Sequence, residues 1–136
     1  MGVEFIFKKT KDFSSQEIYQ LNNLYNNIFR KKSKQLRDIK EFYNKFTSNS
    51  LGYSFHGIIK KDNIFIASYN VIPQEYSFFS QILFFGLSVD TGVHENHRGN
   101  IISLKRLAEG IYNLLKINNI VLVYGLPNNN IYLVLL

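Results

Sequence analysis

The chain contains no cysteine and no tryptophan, and only three histidines. Without cysteine there is no disulfide framework, no thiolate nucleophile, and no thiolate-ligated zinc or iron–sulfur site. A cysteine-free chain also fits a reducing compartment, so the cytoplasm is the expected location. No apolar run reaches the roughly 20 residues that a membrane-spanning helix needs, and the N-terminal Val3 to Lys8 segment is too short for a signal peptide. Two common phosphate cradles are missing as well. There is no Gly-x-x-x-x-Gly-Lys-Ser/Thr loop and no Gly-x-Gly-x-x-Gly fingerprint. Neither Ser88 nor Ser103 has both flanking glycines of a nucleophile elbow.

What is present is a chain of 136 residues, 46% apolar and 15% aromatic, enough for one core and one domain, 1–136. Its formal charge of +6 raises the question of a nucleic-acid partner. The densest basic run is Arg30-Lys31-Lys32-Ser33-Lys34-Gln35-Leu36-Arg37. Its aromatics are not interleaved with these cations, so a solvated helix face is the stronger reading. His94, Glu95 and His97 lack the His-Glu-x-x-His spacing and sit in a turn where their rings need not converge, so no metal is expected.

Periodicity divides the chain into elements. Val3 to Lys8 alternates as a strand, and Ser14-Ser15-Gln16-Glu17 is a capping box opening a helix with Ile18, Leu21, Tyr25 and Ile28 on one face. A second helix is predicted from near Ser33, with Leu36, Ile39, Tyr43 and Phe46 inward and Lys34, Arg37, Lys40 and Lys45 outward. Tyr53–Lys60 and Asn63–Ile72 read as a hairpin joined at Lys61-Asp62, and Pro73-Gln74-Glu75 closes it. Gln81 to Val93 is a third, very long strand. At about 3.3 Å per residue it overruns a small domain, which implies a bulge or bend; Gly86 and Gly92 are the residues suited to it. Leu104, Leu107, Ala108, Ile111, Leu114 and Leu115 return to helical spacing from Ile101 onward, and Ile120 to Tyr124 is a buried strand. Residues 81–124 therefore form a strand–helix–strand unit with parallel strands.

Val93-His94-Glu95-Asn96-His97-Arg98-Gly99 resembles the strand end and pyrophosphate turn of the GNAT N-acetyltransferase superfamily. Val121-Leu122-Val123-Tyr124-Gly125-Leu126-Pro127-Asn128 is similar to that family's fifth strand and following turn. The resemblance implies an α/β (α+β) fold with a GNAT-like mixed sheet in the order β-α-α-β-β-β-α-β, lacking the family's last helix and two strands. It implies acetyl-CoA as co-substrate and transfer of an acetyl (acyl) group to a small-molecule or peptide amine acceptor by direct attack. Thr91 and Val93 would hold the pantetheine arm. Arg98, Gly99, Asn100, Ile101, Ile102 and Ser103 would hold the pyrophosphate, with Asn128 beyond the fifth strand. The acceptor side would be the helix pair at 14–46 and a loop at 73–80.

The departures from the family pattern are specific. Ile101 stands where the family has a glycine, and Leu87 stands near the family's usual glutamate, leaving Asp90 as the nearest carboxylate. Tyr132 is the only tyrosine after the final turn, on a tail expected to be unanchored. Asp90 and Tyr132 are thus the candidate base and acid. Strand 120–124 is expected to expose an edge, to be covered by a partner or second copy, or to belong to a longer protein. Two other functions stay in view: a non-catalytic GNAT-like domain, and a small basic nucleic-acid-binding module.

Overall fold

Six strands lie side by side in chain order in one mixed sheet. The computed structural model describes residues 2–33, 35–99, 101–126 and 132–136, with the side chains of 101–103 left aside. The elements are β1 (Val3–Lys9), α1 (Ser15–Phe29), α2 (Ile39–Thr47), β2 (Phe55–Lys61), β3 (Ile64–Phe78), β4 (Gln81–Val93), α3 (Ile101–Ile117), β5 (Ile120–Gly125) and β6 (Tyr132–Leu135). All neighbours pair antiparallel except β4 and β5, which are parallel. Joining them through α3 gives the strand–helix–strand unit expected from the periodicity.

Strand alternation sorts the side chains into two cores, one on each face of the sheet. On one face Ile6, Ile58 and Phe65 pack with Ile18, Leu21 and Leu24 of α1 and Phe42 and Phe46 of α2. On the other, Phe55, Ile59, Tyr69, Val71 and Val123 pack with Leu107, Ile111 and Leu115 of α3. The result is three layers, helix on sheet on helix.

α1 begins where the capping box puts it: the Ser14 side chain accepts from the Glu17 N–H, and the Glu17 carboxylate accepts from the Ser14 N–H. α2 does not begin near Ser33. Asp38 is its cap, accepting from the Glu41 N–H at 2.8 Å, and the preceding residues are held by α1 instead. Asn26 accepts from the Arg37 N–H, while Asn22 and Asn26 both donate to the Arg37 carbonyl. The inward stripe shifts accordingly, so Phe42 and Phe46 are buried while Leu36 and Tyr43 are exposed.

The β2–β3 turn is Asp62-Asn63, one residue later than expected, and both residues have positive φ (50° and 65°). That geometry is the primed two-residue turn that Asn and Asp tolerate best. Nor does Pro73 end β3, which runs on to Phe78. Strand β2 begins at Phe55, opposite Val71, so among the described residues the only partner at Pro73 is β4 and the missing N–H breaks no second ladder. The expected loop at 73–80 is therefore a hairpin arm turning at Phe79-Ser80, with Phe78, Phe79 and Ile82 exposed.

β6 was not foreseen. Residues 132–135 pair antiparallel with 122–125 of β5, so the edge expected to be open is covered by the chain's own tail. No helix of the described residues is long and apolar enough to cross a membrane.

The Phe7 ring fixes the distance between β1 and α3. A Cβ built on Gly57 would lie 3.2 Å from its edge, and one on Gly110 would lie 2.0 Å from its tip. Helix propensity alone makes Gly110→Ala stabilising by about 1 kcal/mol. Here the clash decides, because the ring has glycines on both sides and nowhere to go. The expected outcome is a loss of about 1–3 kcal/mol, read from the urea midpoint; a gain would show that the ring moves freely.

Candidate functional site

β4 is longer than the strand beside it. Its pairing with β5 covers only Phe84 to Leu87, opposite Ile120 to Tyr124, and among the described residues β4 continues to Val93 with β3 alone. A cleft of about 690 Å³ opens where the two part. Leu87, Ser88, Val89, Asp90 and Thr91 form one wall, Leu126 and Tyr132 the second, and Phe29 and Lys45 close the helix side.

A bulge shapes the β4 wall. Ser68 pairs with Gly92 but Asn70 pairs with Val89, so Asp90 and Thr91 together oppose Tyr69. Asp90 carries the strained backbone, at φ 54°. Neither glycine makes the bend. A Cβ on Gly86 would fall 2.5 Å from Val71, and one on Gly92 would fall 3.0 Å from Ile28, so both are required for close packing.

Asp90 is held at both carboxylate oxygens and at its carbonyl. One carboxylate oxygen accepts from Arg37 Nη1 and the other from Lys45 Nζ, each at 2.8 Å. Its carbonyl accepts from the Asn70 amide at 3.2 Å and from Ser68 Oγ at 3.4 Å. Arg37 was expected in solvent, yet its side chain is only 6% exposed. The guanidinium stacks over Tyr25 at 3.6 Å and donates through Nε to Asn22 at 2.7 Å. Lys45, also expected outside, is one-third exposed and borders the cleft.

Behind Asn70 the hydrogen bonds continue into the core. Asn70 Oδ1 lies 2.8 Å from His56 Nδ1, and His56 Nε2 lies 2.7 Å from Thr10 Oγ1. Since Oδ1 is an acceptor, the proton sits on Nδ1 of a neutral ring. Burial pushes the His56 pKa down from 6.5 to about 4, against the opposing effect of the Asn70 bond.

Tyr132 is anchored, contrary to expectation. Its hydroxyl lies 3.1 Å from that of Tyr69, which lies 3.1 Å from that of Tyr112. Gly125, opposite Tyr132, makes room for it: a Cβ there would be 2.3 Å from the tyrosine ring.

The remaining expected residues divide into two groups. Thr91 lies in the cleft, whereas Val93 and Arg98 line a separate cavity of about 250 Å³ together with Asn96, His97 and Leu104. Arg98 Nε donates to the Val93 carbonyl at 3.3 Å. Gly99, at φ 104°, has open space around it immediately before α3, a backbone that favours glycine. Ile101, Ile102 and Ser103 form the first turn of α3. Asn100 and Asn128 lie outside the described residues. The rings of His94 and His97 are 5.7 Å apart, with His94 Nδ1 taken by the Asn96 N–H.

The basic run is also dispersed. Arg30 is bonded to Tyr25 and Gln35, Lys31 is paired with Glu95, and Arg37 is buried; Lys34 lies outside the described residues. Sequence reasoning missed Arg37, Lys45, His56, Asn70, Tyr69 and Tyr112. For His56, Asn70, Tyr69 and Tyr112 the one visible trace was polarity at positions whose period points inward, whereas the period placed Arg37 and Lys45 outward.

No family model matches the chain, and no curated protein matches its sequence. Solved structures do match. A probable N-acyltransferase from Enterococcus faecalis superposes with a TM-score of 0.67 at 14% identity, over 92% of this chain and 30% of that one. A predicted acetyltransferase from Clostridium acetobutylicum, solved with acetyl-CoA, gives 0.64 at 16%, over 90% of this chain and 80% of that one. An aminoglycoside acetyltransferase from an uncultured soil metagenomic sample, in complex with sisomicin, gives 0.65 at 15%, over 90% and 76%. This chain therefore spans less than a third of the first protein and most of the other two.

Two measurements check the site's electrostatics. Asp90→Asn leaves Arg37 as a buried cation without its partner and is expected to cost about 3–5 kcal/mol. Lys45→Met removes a partly solvated partner and is expected to cost less than about 1 kcal/mol. Equal losses would show that Arg37 is not the dominant partner. His56 binds its proton near pH 6.5 in the unfolded chain and only near pH 4 when folded. Stability is therefore insensitive to this residue above pH 6.5 and falls by roughly 3 kcal/mol as pH drops to 4. His56→Gln is expected to lower stability at neutral pH yet flatten that acid limb; parallel curves for the two proteins would refute the assignment.

Proposed function

We propose that this chain, which has the GNAT N-acyltransferase fold, transfers an acyl group from acetyl-CoA to an amine, with the reacting groups meeting in the cleft between β4 and β5. One observation carries the reading. β4 runs six residues past its last β5 partner, Leu87, to Val93, and among the described residues nothing pairs with that edge of the strand along the apolar-walled cleft. An extended pantetheine arm fits such an edge because it can exchange amide hydrogen bonds as a further strand would.

Residues of the cleft and of the neighbouring cavity suit that ligand. Thr91 and Val93 would hold the arm through their backbone. Arg98, Gly99, Asn100 and the first amides of α3 at Ile101, Ile102 and Ser103 would hold the pyrophosphate, where helix-terminal N–H groups and a cation favour negative charge. Asn128 belongs to the same proposed set. The open space at Gly99 supports this fit, since nothing stands within 4 Å of where a Cβ would be. Acetyl-CoA supplies the activated acyl thioester, and no metal is called for.

A β4 backbone N–H beyond Leu87 donates to the thioester oxygen as charge develops on it. Asp90 is proposed as the clamp that holds this bulged wall, because both of its oxygens already accept from cations. The amine's proton leaves through the open cleft to water. Tyr132 donates its hydroxyl proton to the departing sulfur. The acceptor is a small-molecule or peptide amine, as an aminoglycoside is for one of the similar structures.

A non-catalytic domain is the competing reading. It is favoured by the absence, among the described residues lining the cleft, of any carboxylate other than the doubly paired Asp90. Calorimetry and thermal melting with acetyl-CoA decide the first step: at 100 times its Kd the ligand is expected to add about 2.7 kcal/mol of stability and raise Tm by several degrees. No heat and no shift at millimolar concentration would end the cofactor assignment. Tyr132→Phe is then expected to lower kcat about 100-fold with little change in the KM for acetyl-CoA. Binding without turnover on a broad amine panel would instead support the non-catalytic reading.

A further inference from the structure

Three phenols from three different elements meet beside the cleft. Tyr69 of β3 is buried, Tyr112 comes from α3, and Tyr132 from β6 lines the cleft itself. The Tyr69 and Tyr112 rings pack edge to face at 85° with centroids 5.8 Å apart, which fixes the first pair independently of its hydroxyls. Tyr69 has one proton and lies between the Tyr112 and Tyr132 hydroxyls, with Ser88 bonding to it as well, so it can donate to only one of them and must accept from any other that bonds to it. Burial, aided by its bonds to Tyr112 and Tyr132, raises the Tyr69 pKa, so Tyr69 keeps its proton.

We infer that Tyr69 and Tyr112 are positioning residues that aim the Tyr132 hydroxyl at the reacting sulfur and hold the oxyanion left on Tyr132 once its proton has gone. The inference rests on the acyl-transfer reading for the sulfur, but the hydroxyl chain itself does not. As the carbon–sulfur bond breaks, its electron pair stays on sulfur and the Tyr132 proton moves to it. Tyr69 then turns its O–H onto the Tyr132 oxygen, and Tyr112 turns its O–H onto Tyr69. No proton leaves either positioning residue. Tyr132 regains a proton from water in the open cleft.

The arrangement gives the three hydroxyls one direction of donation, from α3 through β3 to β6, at the moment when charge appears on the last. A hydrogen bond to a charged oxygen is stronger than one between neutral phenols, so the chain favours the transition state over the resting state. Tyr76 and Tyr124 form a separate pair of hydroxyls 3.1 Å apart and provide a control within the same protein.

Tyr69→Phe removes one oxygen and keeps the ring. It is expected to lower kcat about 10-fold while the KM for acetyl-CoA stays unchanged, with Tyr112→Phe giving a smaller loss in the same direction. Both losses are expected to shrink when the acyl donor carries a more acidic thiol, which departs without a proton. A merely structural role would depress all donors alike, and that result would overturn the inference. A second readout needs no turnover: the 13Cζ resonance of Tyr132 is expected to move in Tyr69→Phe, less so in Tyr112→Phe, and not in Tyr124→Phe. An unmoved resonance in both chain variants would overturn the inference even if acetyl transfer is found. A wild-type protein that binds no acetyl-CoA but gives the expected resonance shifts would sink the transfer reading and leave the hydroxyl chain standing.

Discussion

The fixed charge of Asp90 is the constraint on which the other features of the site depend. Its backbone lies at φ 54°, a region that costs an ordinary residue roughly 1–2 kcal/mol and that aspartate tolerates better than most. Two cations hold the side chain and two side-chain donors hold the carbonyl. Removing an ion pair of this kind from water is costly, and a well-packed apolar set of similar volume is often as stable. What the pair adds is specification. It ties the β4 bulge to Arg37, which is itself locked to α1 through Asn22 and Asn26, and to Lys45 on α2. With the bulge set, the upper half of β4 has one position relative to both helices, and the cleft has a fixed wall.

The buried polar line from Thr10 through His56 and Asn70 to the Asp90 carbonyl extends the same constraint across the sheet. A neutral His56 can accept at one nitrogen and donate at the other, so it joins β1's end to β3 without placing a further charge in the core. Phe42 stacks at 6.1 Å from its ring and Phe46 lies edge-on at 4.9 Å, which keeps water from taking over those bonds. On the opposite face the sheet relies on apolar packing under α3, with Tyr69 as the polar exception. The two polar devices therefore flank the cleft from different faces: the ion-pair clamp holds the bulge, and the tyrosine chain holds the β6 side.

Where local chemistry decides the outcome, the sequence was legible. Ser14 and Glu17 satisfy each other's backbone within one turn, and the period from Leu104 to Leu115 needs only its own helix. The parallel pairing of β4 and β5 followed from a crossover of helical length. The misses have a common cause, a partner distant in sequence. Ser33 looked like the start of a helix because nothing nearby revealed that Arg37 is tied to residues 11 and 15 positions earlier. Gly86 and Gly92 looked like bend residues because their required use, against Val71 and Ile28, lies on other elements. Pro73 looked like a terminator because the length of β2 is not written beside it. Tyr132 looked unanchored because both its supports, Tyr69 and Gly125, become neighbours only after the sheet forms.

That pattern bears on the proposed transfer. A catalytic group gains most when its supports are already in place, since reorganisation at the moment of reaction adds to the barrier. Supports from neighbouring residues of one loop move with that loop. Supports drawn from β3, α3 and β5 move only if the sheet itself deforms, and the close-packed glycine contacts at Gly86 and Gly125 resist that deformation. The residues hardest to read from the sequence are thus the ones that give the cleft its rigidity, because rigidity comes from contacts between separate elements. The short β6 illustrates the point: its four residues pair with β5 alone, yet Tyr132 is held by hydroxyls from elsewhere. Its hydroxyl is placed by Tyr69 as well as by the strand that carries it.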